Sequence, residues 1–321
     1  MKKIRNVKQL SQFILVAILF AFTLVSCKKD DAGNSSDSAS TTIKITDAPI
    51  DDISVTGAFV TITDIKVDGQ SIQGFNKTTI DLMAYQNGTT KTIGTFNLAG
   101  KTYSNVTFVL DFDKDAAGNA PGCYVLRTGN IKHQLQSNSN IITISKSFSL
   151  VAAASNTIVA DFDLRKMIKY QPGVPTDRYD FVTVAEMQND IRIVVENKTG
   201  TVSGTLTDNI SASGKVVAYV YQKGTFNRAI EMSGQGTSNV QFSNAVNSSS
   251  VAANGFYQLH FLESGLYEVH FASYKDTNAD GEYELMGTLI VTGAGGLDLL
   301  NLNVAANVNL TVNASVTAVL P

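Results

Sequence analysis

The sequence predicts an all-β protein that consists of two antiparallel β-sandwich domains. Apolar and polar residues alternate through most of the chain, as they do over residues 106–112, and a period of two is typical of half-buried strands. Turn-forming pairs such as Asp68-Gly69 and Asn87-Gly88 separate the alternating segments. The alternation stops near Pro172–Pro175 and restarts after Asn197. Many short strands with few helices indicate sandwiches, and the interruption indicates two of them.

The N-terminal segment has a different composition from the rest of the chain. The first eight residues carry four positive charges and no acid, at Lys2, Lys3, Arg5 and Lys8. An apolar run from Phe13 to Val25 follows, with Thr23 as its one polar residue, and it is too short for an ordinary transmembrane helix. We therefore predict a signal peptide over residues 1–26.

The signal segment ends in Leu24-Val25-Ser26-Cys27. This ending resembles the lipobox of bacterial lipoprotein signal peptides. The resemblance implies cleavage before Cys27 and attachment of lipid to that cysteine, and two or more acyl chains are enough for stable membrane anchoring. The alternative is a plain secretory signal in which the cysteine is incidental.

Residues 27–41 form a predicted tether. The segment is rich in Gly, Ser, Asn and Asp, and such a composition buries too little apolar surface to fold. Lys29, Asp30 and Asp31 resemble the surface-export signal of Bacteroidota lipoproteins, which implies an outer-membrane protein that faces the cell exterior. A merely solvated linker is the alternative. Asp37-Ser38-Ala39 resembles a short O-glycosylation motif of the same bacteria, with Ser38 as the acceptor.

The net charge of the chain limits its possible binding partners, and its cysteine content limits its possible disulfides. The whole chain has a formal charge of −3, and loss of the four cations of the signal segment gives −3 − 4 = −7. This acidity argues against nucleic acid as a partner, because phosphates need a basic surface. Once Cys27 is lipidated, Cys123 is the remaining thiol, so the mature chain has no intramolecular disulfide.

The first predicted domain spans residues 42–196. Short helical pieces are expected only around Asp81–Gln86 and Leu164–Tyr170. Several short motifs in this region occur in the order found in the bacterial family called domain of unknown function 4382: Thr46-Asp47-Ala48-Pro49, Ile53–Val67, Ile80-Asp81-Leu82, Asn87-Gly88 and Leu98-Ala99-Gly100-Lys101-Thr102-Tyr103. Residues 42–193 resemble that family, which implies an exported β-rich domain and no established activity.

The second predicted domain spans residues 197–321. Strand patterns that end in Tyr221, Phe261 and Phe271 alternate regularly. Gly200–Gly204 and Ser264–Val269 make this region similar to the transthyretin-like, carboxypeptidase-regulatory modules of surface proteins. That resemblance implies a transthyretin- or Ig-like β-sandwich.

One loop of the second domain carries a pattern of oxygen ligands. Asp276, Asn278 and Asp280 stand at positions one, three and five, Gly281 at six and Glu284 at nine, which matches the front of a calcium loop. Glu282 would contribute its carbonyl. Position twelve departs from the EF-hand, because Gly287 has no carboxylate, and the loop lies between strand patterns. The sequence thus predicts a weak Ca²⁺ site, with an ordinary hairpin loop as the alternative.

Other chemical groups give no catalytic pattern. Asp111, Asp113 and Asp115, followed by Asn119, are interpreted as a solvated strand end, with a metal site as the alternative. Asp161 and Asp163 alternate with apolar residues and are interpreted as a solvated strand face. Cys123 has no nearby histidine in the sequence and is expected to be inert. Metalloprotease and nucleophile-elbow motifs do not occur in the sequence.

The function expected from these observations is non-catalytic. We expect a cell-surface lipoprotein that acts as a binding or adhesion module, with a glycan or protein ligand. A structural or accessory subunit of a surface assembly, such as a pilus-like fibre, is the alternative, and a hydrolase is a distant one. Membrane contact is expected through the lipid anchor.

Overall fold

A computed structural model describes residues 38–48, 55–171, 178–208, 214–279 and 283–321. Asp37–Pro321 forms one compact unit. The predicted signal peptide, Cys27 and the Lys29-Asp30-Asp31 segment lie outside the described residues. Within the described ranges, no helix has the length and apolar character needed to cross a membrane.

We call residues 38–196 the first half and residues 197–321 the second half. The described residues of the first half contain thirteen strands: β1 Ser38–Ala48, β2 Val55–Val67, β3 Gln70–Ser71, β4 Thr78–Asp81, β5 Lys91–Ala99, β6 Thr102–Leu110, β7 Tyr124–Arg127, β8 Ile131–Gln134, β9 Ile141–Ser149, β10 Ser155–Asp163, β11 Ile168–Gln171, β12 Arg178–Phe181 and β13 Ile191–Val195.

Two sheets of the first half enclose its core. One has the order β13-β10-β1-β5, and the other has the order β8-β7-β2-β6-β9, with β3 and β4 paired to β2. Phe108 of β6 and Phe162 of β10 are fully buried, and their rings meet edge to face with centroids 5.3 Å apart. This contact joins the two inner faces as the alternating pattern predicts.

The strand β1 begins earlier than the sequence indicated. It starts at Ser38, four residues before the predicted domain start, and pairs with β5 and, in parallel, with β10. Ala39 and Thr41 are fully buried on one face of the strand. In the sequence, such small side chains are typical of a linker. The pairing of β1 with its two neighbours is what places them in the sheet.

The described helices are short. The predicted helix at Asp81–Gln86 is a 3₁₀ turn over Leu82–Tyr85, and the one at Leu164–Tyr170 is α1, Leu164–Met167, because β11 begins at Ile168. The expectation that the first half has no others was wrong, because α2, Val184–Asp190, is also present there. The second half contains α3, Arg228–Ser233. Further 3₁₀ turns span Glu196–Lys198 and Ala294–Gly296.

The second half contains nine described strands: β14 Thr199–Asp208, β15 Lys215–Gln222, β16 Asn247–Ser250, β17 Phe256–Glu263, β18 Gly265–Lys275, β19 Glu284–Gly293, β20 Leu302–Val304, β21 Asn309–Thr311 and β22 Ala314–Leu320. They form a sheet with the order β16-β15-β18-β19-β22-β14-β17. In addition, β20 pairs with β18, and β21 pairs with β14. Its end strands meet, since Gln258 N–H donates to Ser249 Oγ at 3.2 Å.

Both faces of β15 are buried in the second half. Val217, Tyr219 and Tyr221 lie in one apolar cluster, and Ala218 and Val220 lie in the main core with Tyr257 of β17.

The glycine motif of β14 has a steric cause. A Cβ at Gly204 would lie 1.8 Å from the carbonyl oxygen of Val312, so only glycine permits this close approach.

The predicted all-β class is confirmed. Strand pairing is mainly antiparallel, and parallel pairs join β1 to β10 and β14 to β21 and β22. The main apolar cores occupy the first half, up to Val195, and the second half, from Val202 onward, and a small buried cluster of Val159, Val194 and Phe261 joins the two halves.

Candidate ligand groove and the polar junction between the halves

An open groove of about 540 Å³ lies where β6 ends and the β8–β9 loop passes. It is lined by Thr63, Leu110, Asp111, Phe112, Asp113 and residues 136–140. Backbone hydrogen bonds fix the loop at both ends. Leu110 N–H donates to the carbonyl of Asn140 at 2.8 Å, and Phe181 N–H donates to that of Gln136 at 3.3 Å.

Asp111 helps to build the groove. Its carboxylate accepts the backbone N–H groups of Asp113 and Lys114 and a hydrogen bond from Lys77 Nζ at 2.8 Å. The Lys77 bond and these N–H groups hold the pKa of Asp111 below its ordinary value. Asp111 is thus an anchor for the turn that follows β6.

Three exposed side chains remain available to a ligand. The carboxylate of Asp113 and the amide of Gln136 make no hydrogen bond to any described residue, and Asn138 has only a 3.4 Å contact from Ser137 Oγ to its Oδ1. Half-buried Phe112 adds an apolar surface and packs against Phe181. A carboxylate and two amides offer donors and acceptors together, which suits a neutral ligand with several hydroxyl groups.

The two halves meet at a junction that contains many buried polar groups. From α1, Arg165 donates to the carbonyls of Gln241 and Phe242 at 2.6 and 3.1 Å. Lys166 Nζ donates to the carbonyl of Ala245 at 3.0 Å and lies 3.2 Å from Asp163. Both cations are over nine-tenths buried, so their partners must replace the solvation lost on folding.

Asp161 occupies a second part of this junction. Its carboxylate accepts hydrogen bonds from Arg192 of β13 and from Asn247 of β16, the latter at 3.0 Å. Asp161 and Asp163 are 2% and 5% exposed, so the prediction of a solvated strand face was wrong. The second half covers the polar face of β10, and strand periodicity cannot distinguish solvent from a polar partner surface.

The Thr46-Asp47 motif has a structural role in the same region. Thr46 Oγ1 donates to the carbonyls of Tyr85 and Thr89, at 3.0 and 2.8 Å. Asp47 Oδ1 accepts the first N–H of α1, from Leu164, at 3.0 Å. Burial raises the pKa of Asp47 well above its ordinary value. The motif therefore fixes the turn after β4 and the start of α1.

Two carboxyl groups of α2 have opposite electrostatic environments. Burial would raise the pKa of Glu186, but hydrogen bonds from Thr183 and Ser238 lower it to about 2. Burial raises the pKa of Asp190 to about 7, against the opposing effect of Lys166. Thr183 and Glu186 also form the capping box that begins α2.

Cys123 is a core residue. It is fully buried, its Sγ accepts from Thr61 N–H at 3.4 Å, and it lies 3.3 Å from the carbonyl of Asp111. Burial raises the pKa of the thiol to about 12. The thiol therefore stays protonated near neutral pH and is a poor nucleophile.

The predicted calcium loop is only partly described, because Asp280 and Glu282 lie outside the described residues. Asp276 Oδ1 accepts Ala279 N–H at 2.7 Å, and Glu284 Oε2 accepts both the N–H and the hydroxyl of Thr277 at 2.8 Å. Among the described residues, no group of three or more His, Cys, Asp or Glu is placed to hold a metal ion. These bonds also occur in ordinary turns, so both interpretations remain.

Comparison with known families gives one family model that matches part of the chain. Residues 38–181 match the Domain of unknown function (DUF4382) family. The match confirms the resemblance drawn from the motifs. The DUF4382 region includes the groove and α1 but ends before α2, and the β-rich second half is consistent with a following β-module.

Solved structures and curated proteins add little beyond the DUF4382 match. A leucine-rich repeat protein from Bacteroides thetaiotaomicron is 13% identical, with a TM-score of 0.22, over 89% of this chain and 27% of its own. The Bacillus anthracis TIE protein is 11% identical, with a TM-score of 0.20, and the alignment covers 87% of this chain and 34% of the TIE protein. GBS52, the minor pilin of Streptococcus agalactiae, is 10% identical, with a TM-score of 0.20, and the alignment covers 88% of this chain and 99% of GBS52. TM-scores this low say nothing about function. The search of curated proteins finds no match.

Proposed function

We propose that this protein is a lipid-anchored, surface-displayed binding module without catalytic activity, and that its ligand is a glycan held in the groove after β6. The observation that carries the proposal is the set of free polar side chains there. Asp113, Gln136 and Asn138 face an open groove beside the ring of Phe112. They are free to bond a ligand because the loop is fixed by backbone bonds and by Asp111.

A binding role also fits the burial of the carboxylates and the thiol that catalysis would otherwise need. The carboxylates of Asp161 and Asp163 face the junction and are buried, and the thiol of Cys123 is buried and protonated. General acid–base and nucleophilic catalysis need such groups within reach of a substrate. In the groove, the free groups instead suit hydrogen bonding to hydroxyls.

A glycan array probed with soluble residues 28–321 tests the ligand class. We expect binding to at least one glycan, and we expect Asp113→Ala or Gln136→Ala to weaken it about tenfold, the effect of losing about 1.4 kcal/mol of hydrogen bonding. Gln73→Ala is the matched control, because exposed Gln73 lies outside the groove. Equal loss in the control, or no glycan binding at all, would refute the proposal. A stoichiometric protein partner on pull-down would favour a subunit of a surface assembly instead.

The anchor is tested separately by fatty-acid labelling. The proposal of lipid attachment rests on the sequence ending in Cys27. Cys27→Ser should leave an uncleaved or soluble precursor that incorporates no labelled fatty acid. Incorporation of label into that variant would show that the lipid is elsewhere.

A further inference from the structure

A second cavity, of about 220 Å³, lies between α2 and the loop that follows α3. The first half contributes Glu186, Asn189 and Asp190, and the second half contributes Gln235, Gly236, Val240, Ser243 and Asn244. It is separate from the groove after β6, with which it shares no lining residue. The cavity exists because the two halves pack together.

Asp190 is the unusual residue of this cavity. The residue is 7% exposed, and its carboxyl makes no hydrogen bond to any described residue, although its oxygens are not fully enclosed. Buried carboxyl groups without such bonds are rare, because desolvation penalises them. The charged groups that act on it are Lys166 and Arg165, which favour its ionised form, and Asp163 and Glu186, which oppose that form.

The two cations do not satisfy Asp190 directly. Arg165 donates to the carbonyls of Gln241 and Phe242, and Lys166 donates to those of Ser243 and Ala245. The Nη atoms of Arg165 and the Nζ of Lys166 thus bond the loop of the second half and not Asp190. The carboxyl of Asp190 keeps its acceptor capacity for something inside the cavity.

The other polar groups around the cavity are mainly acceptors as well. Asn244 Nδ2 donates to Glu231 at 2.6 Å and to Gln235 at 2.9 Å, which uses both of its hydrogens. Asn189 Nδ2 donates to the carbonyl of Ala185 at 3.0 Å. Glu186 already accepts four hydrogen bonds, from Thr183 and Ser238. The carboxyl of Asp190 and the amide oxygens of Asn189 and Asn244 remain, so the cavity suits a positively charged ligand that carries N–H donors.

We propose that this cavity is a second ligand site, which binds the ammonium or guanidinium group of an organic cation through Asp190. The volume accommodates such a head group with a short stem. The cation is either a free small molecule or a lysine or arginine side chain of another protein, and both present the same donors. This site is independent of glycan binding in the groove.

Titration of soluble residues 28–321, followed by NMR, tests the site with four probes: methylammonium, guanidinium, a Gly-Lys-Gly peptide and tetramethylammonium. We expect saturable shifts of the side-chain amides of Asn189 and Asn244 with at least one of the first three. Tetramethylammonium has the charge but no N–H donor, and it should cause no saturable shift. Binding of the peptide without methylammonium would indicate a protein side chain as the natural ligand, and binding of methylammonium would indicate a free amine.

The pH dependence and one variant identify Asp190 as the binding group. Because the pKa of Asp190 lies at about 7, affinity should be roughly tenfold or more higher at pH 8 than at pH 5.5. Asp190→Asn should abolish binding while the protein stays folded, and Asp113→Asn in the groove should not affect it. The proposal is wrong if no N–H probe saturates, if tetramethylammonium binds equally well, or if the folded Asp190→Asn protein binds as the wild type does.

Discussion

Individual side chains at the junction set how the stability of this protein should depend on pH. Asp190 is buried without a hydrogen-bond partner among the described residues, whereas Glu186, one turn earlier on α2, is well bonded. A carboxyl whose pKa rises on folding stabilises the native state only while it is protonated. Asp190 should therefore contribute most at low pH.

Replacement of Asp190 by Asn should remove this dependence. The pKa of the Asp190 carboxyl is about 7 in the native state and near 4 in the unfolded chain. The contribution is complete below about pH 4 and is lost as the pH rises through about 7. At pH 8 the Asn variant should be more stable than the wild type by up to about 4 kcal/mol, since one pKa unit corresponds to about 1.4 kcal/mol.

Urea unfolding from pH 4 to pH 8 measures this effect. At pH 4 the two proteins should have nearly equal free energies of unfolding, because Asn mimics the protonated acid, and this point is the internal control. A variant that is less stable than the wild type at pH 8 would mean that the Asp190 carboxylate is stabilising there, contrary to its unpaired burial.

Single residues also show where sequence reasoning stops. The sequence predicted an inert Cys123 thiol from the lack of a nearby histidine, whereas the structure adds a different reason, because burial raises the pKa of the thiol. The burial of Asp161 and Asp163 was not, because an aspartate between apolar strand residues has the same pattern against water as against Arg192 and Asn247. That partner surface becomes visible only when the second half is in place.

The helix α1 shows how one short element joins the halves. It has only four residues, too few to be stable alone. Its start is fixed by Asp47, and Arg165 and Lys166 extend from it to backbone carbonyls of the second half. The helix thus holds two buried cations where the loop before β16 presents its carbonyls.

Loss of one of these cations should be costly. Arg165→Leu removes the donor to the carbonyl of Gln241 and one of two donors to the carbonyl of Phe242, which also accepts the N–H of Ala245. It also removes a positive charge 3.6 Å from buried Asp163. We expect a loss of about 3–5 kcal/mol in the free energy of unfolding, the range for breaking a buried pair. Lys91→Leu on exposed β5 is the control and should change it by less than about 0.5 kcal/mol. Equal effects in chemical denaturation would mean that α1 does not hold the junction.

The loop between β18 and β19 carries the calcium prediction. Asp276, Asp280, Glu282 and Glu284 place four carboxylates in one short segment. Millimolar Ca²⁺ should raise the thermal midpoint relative to EDTA, with a Kd on the order of 10⁻⁴–10⁻³ M. Asp280→Ala should remove the increase. An unchanged midpoint, or the same increase in the variant, would leave the loop as an ordinary turn.

Elements differed in how well the sequence predicted them. Strands with alternating side chains, such as β6 and β10, were evident because one face packs in a core. The helix α2 was missed although its capping box, Thr183 and Glu186, was visible in the sequence. Its seven residues are too few to show helical periodicity, and only tertiary packing stabilises a helix that short.

In the molecule as a whole, the sequence predicted the all-β class and the family resemblance, but it did not predict the sites. The groove combines the end of β6 with the β8–β9 loop, and the second cavity combines α2 with the loop after α3. Both bring together segments that are distant in the chain. Periodicity describes what each strand buries, and it contains no information on which loops meet.

Surface display and glycan binding together make a prediction about intact cells. Cells that carry the wild-type protein should adhere to a surface coated with the glycan identified on the array, and so should cells with the Gln73→Ala control. Cells with Asp113→Ala and Gln136→Ala combined should not adhere, because two free hydrogen-bonding groups of the groove are lost. Cells with Cys27→Ser should not adhere either, because the protein is then not anchored.

Adhesion of these four strains, measured side by side with equal protein levels checked by blotting, tests surface-displayed binding most directly. We predict adhesion of the wild-type and Gln73→Ala strains and a reduction to the level of cells without the protein in the other two. Undiminished adhesion of the Asp113→Ala, Gln136→Ala strain would contradict binding in the groove, and undiminished adhesion of the Cys27→Ser strain would contradict lipid-anchored display.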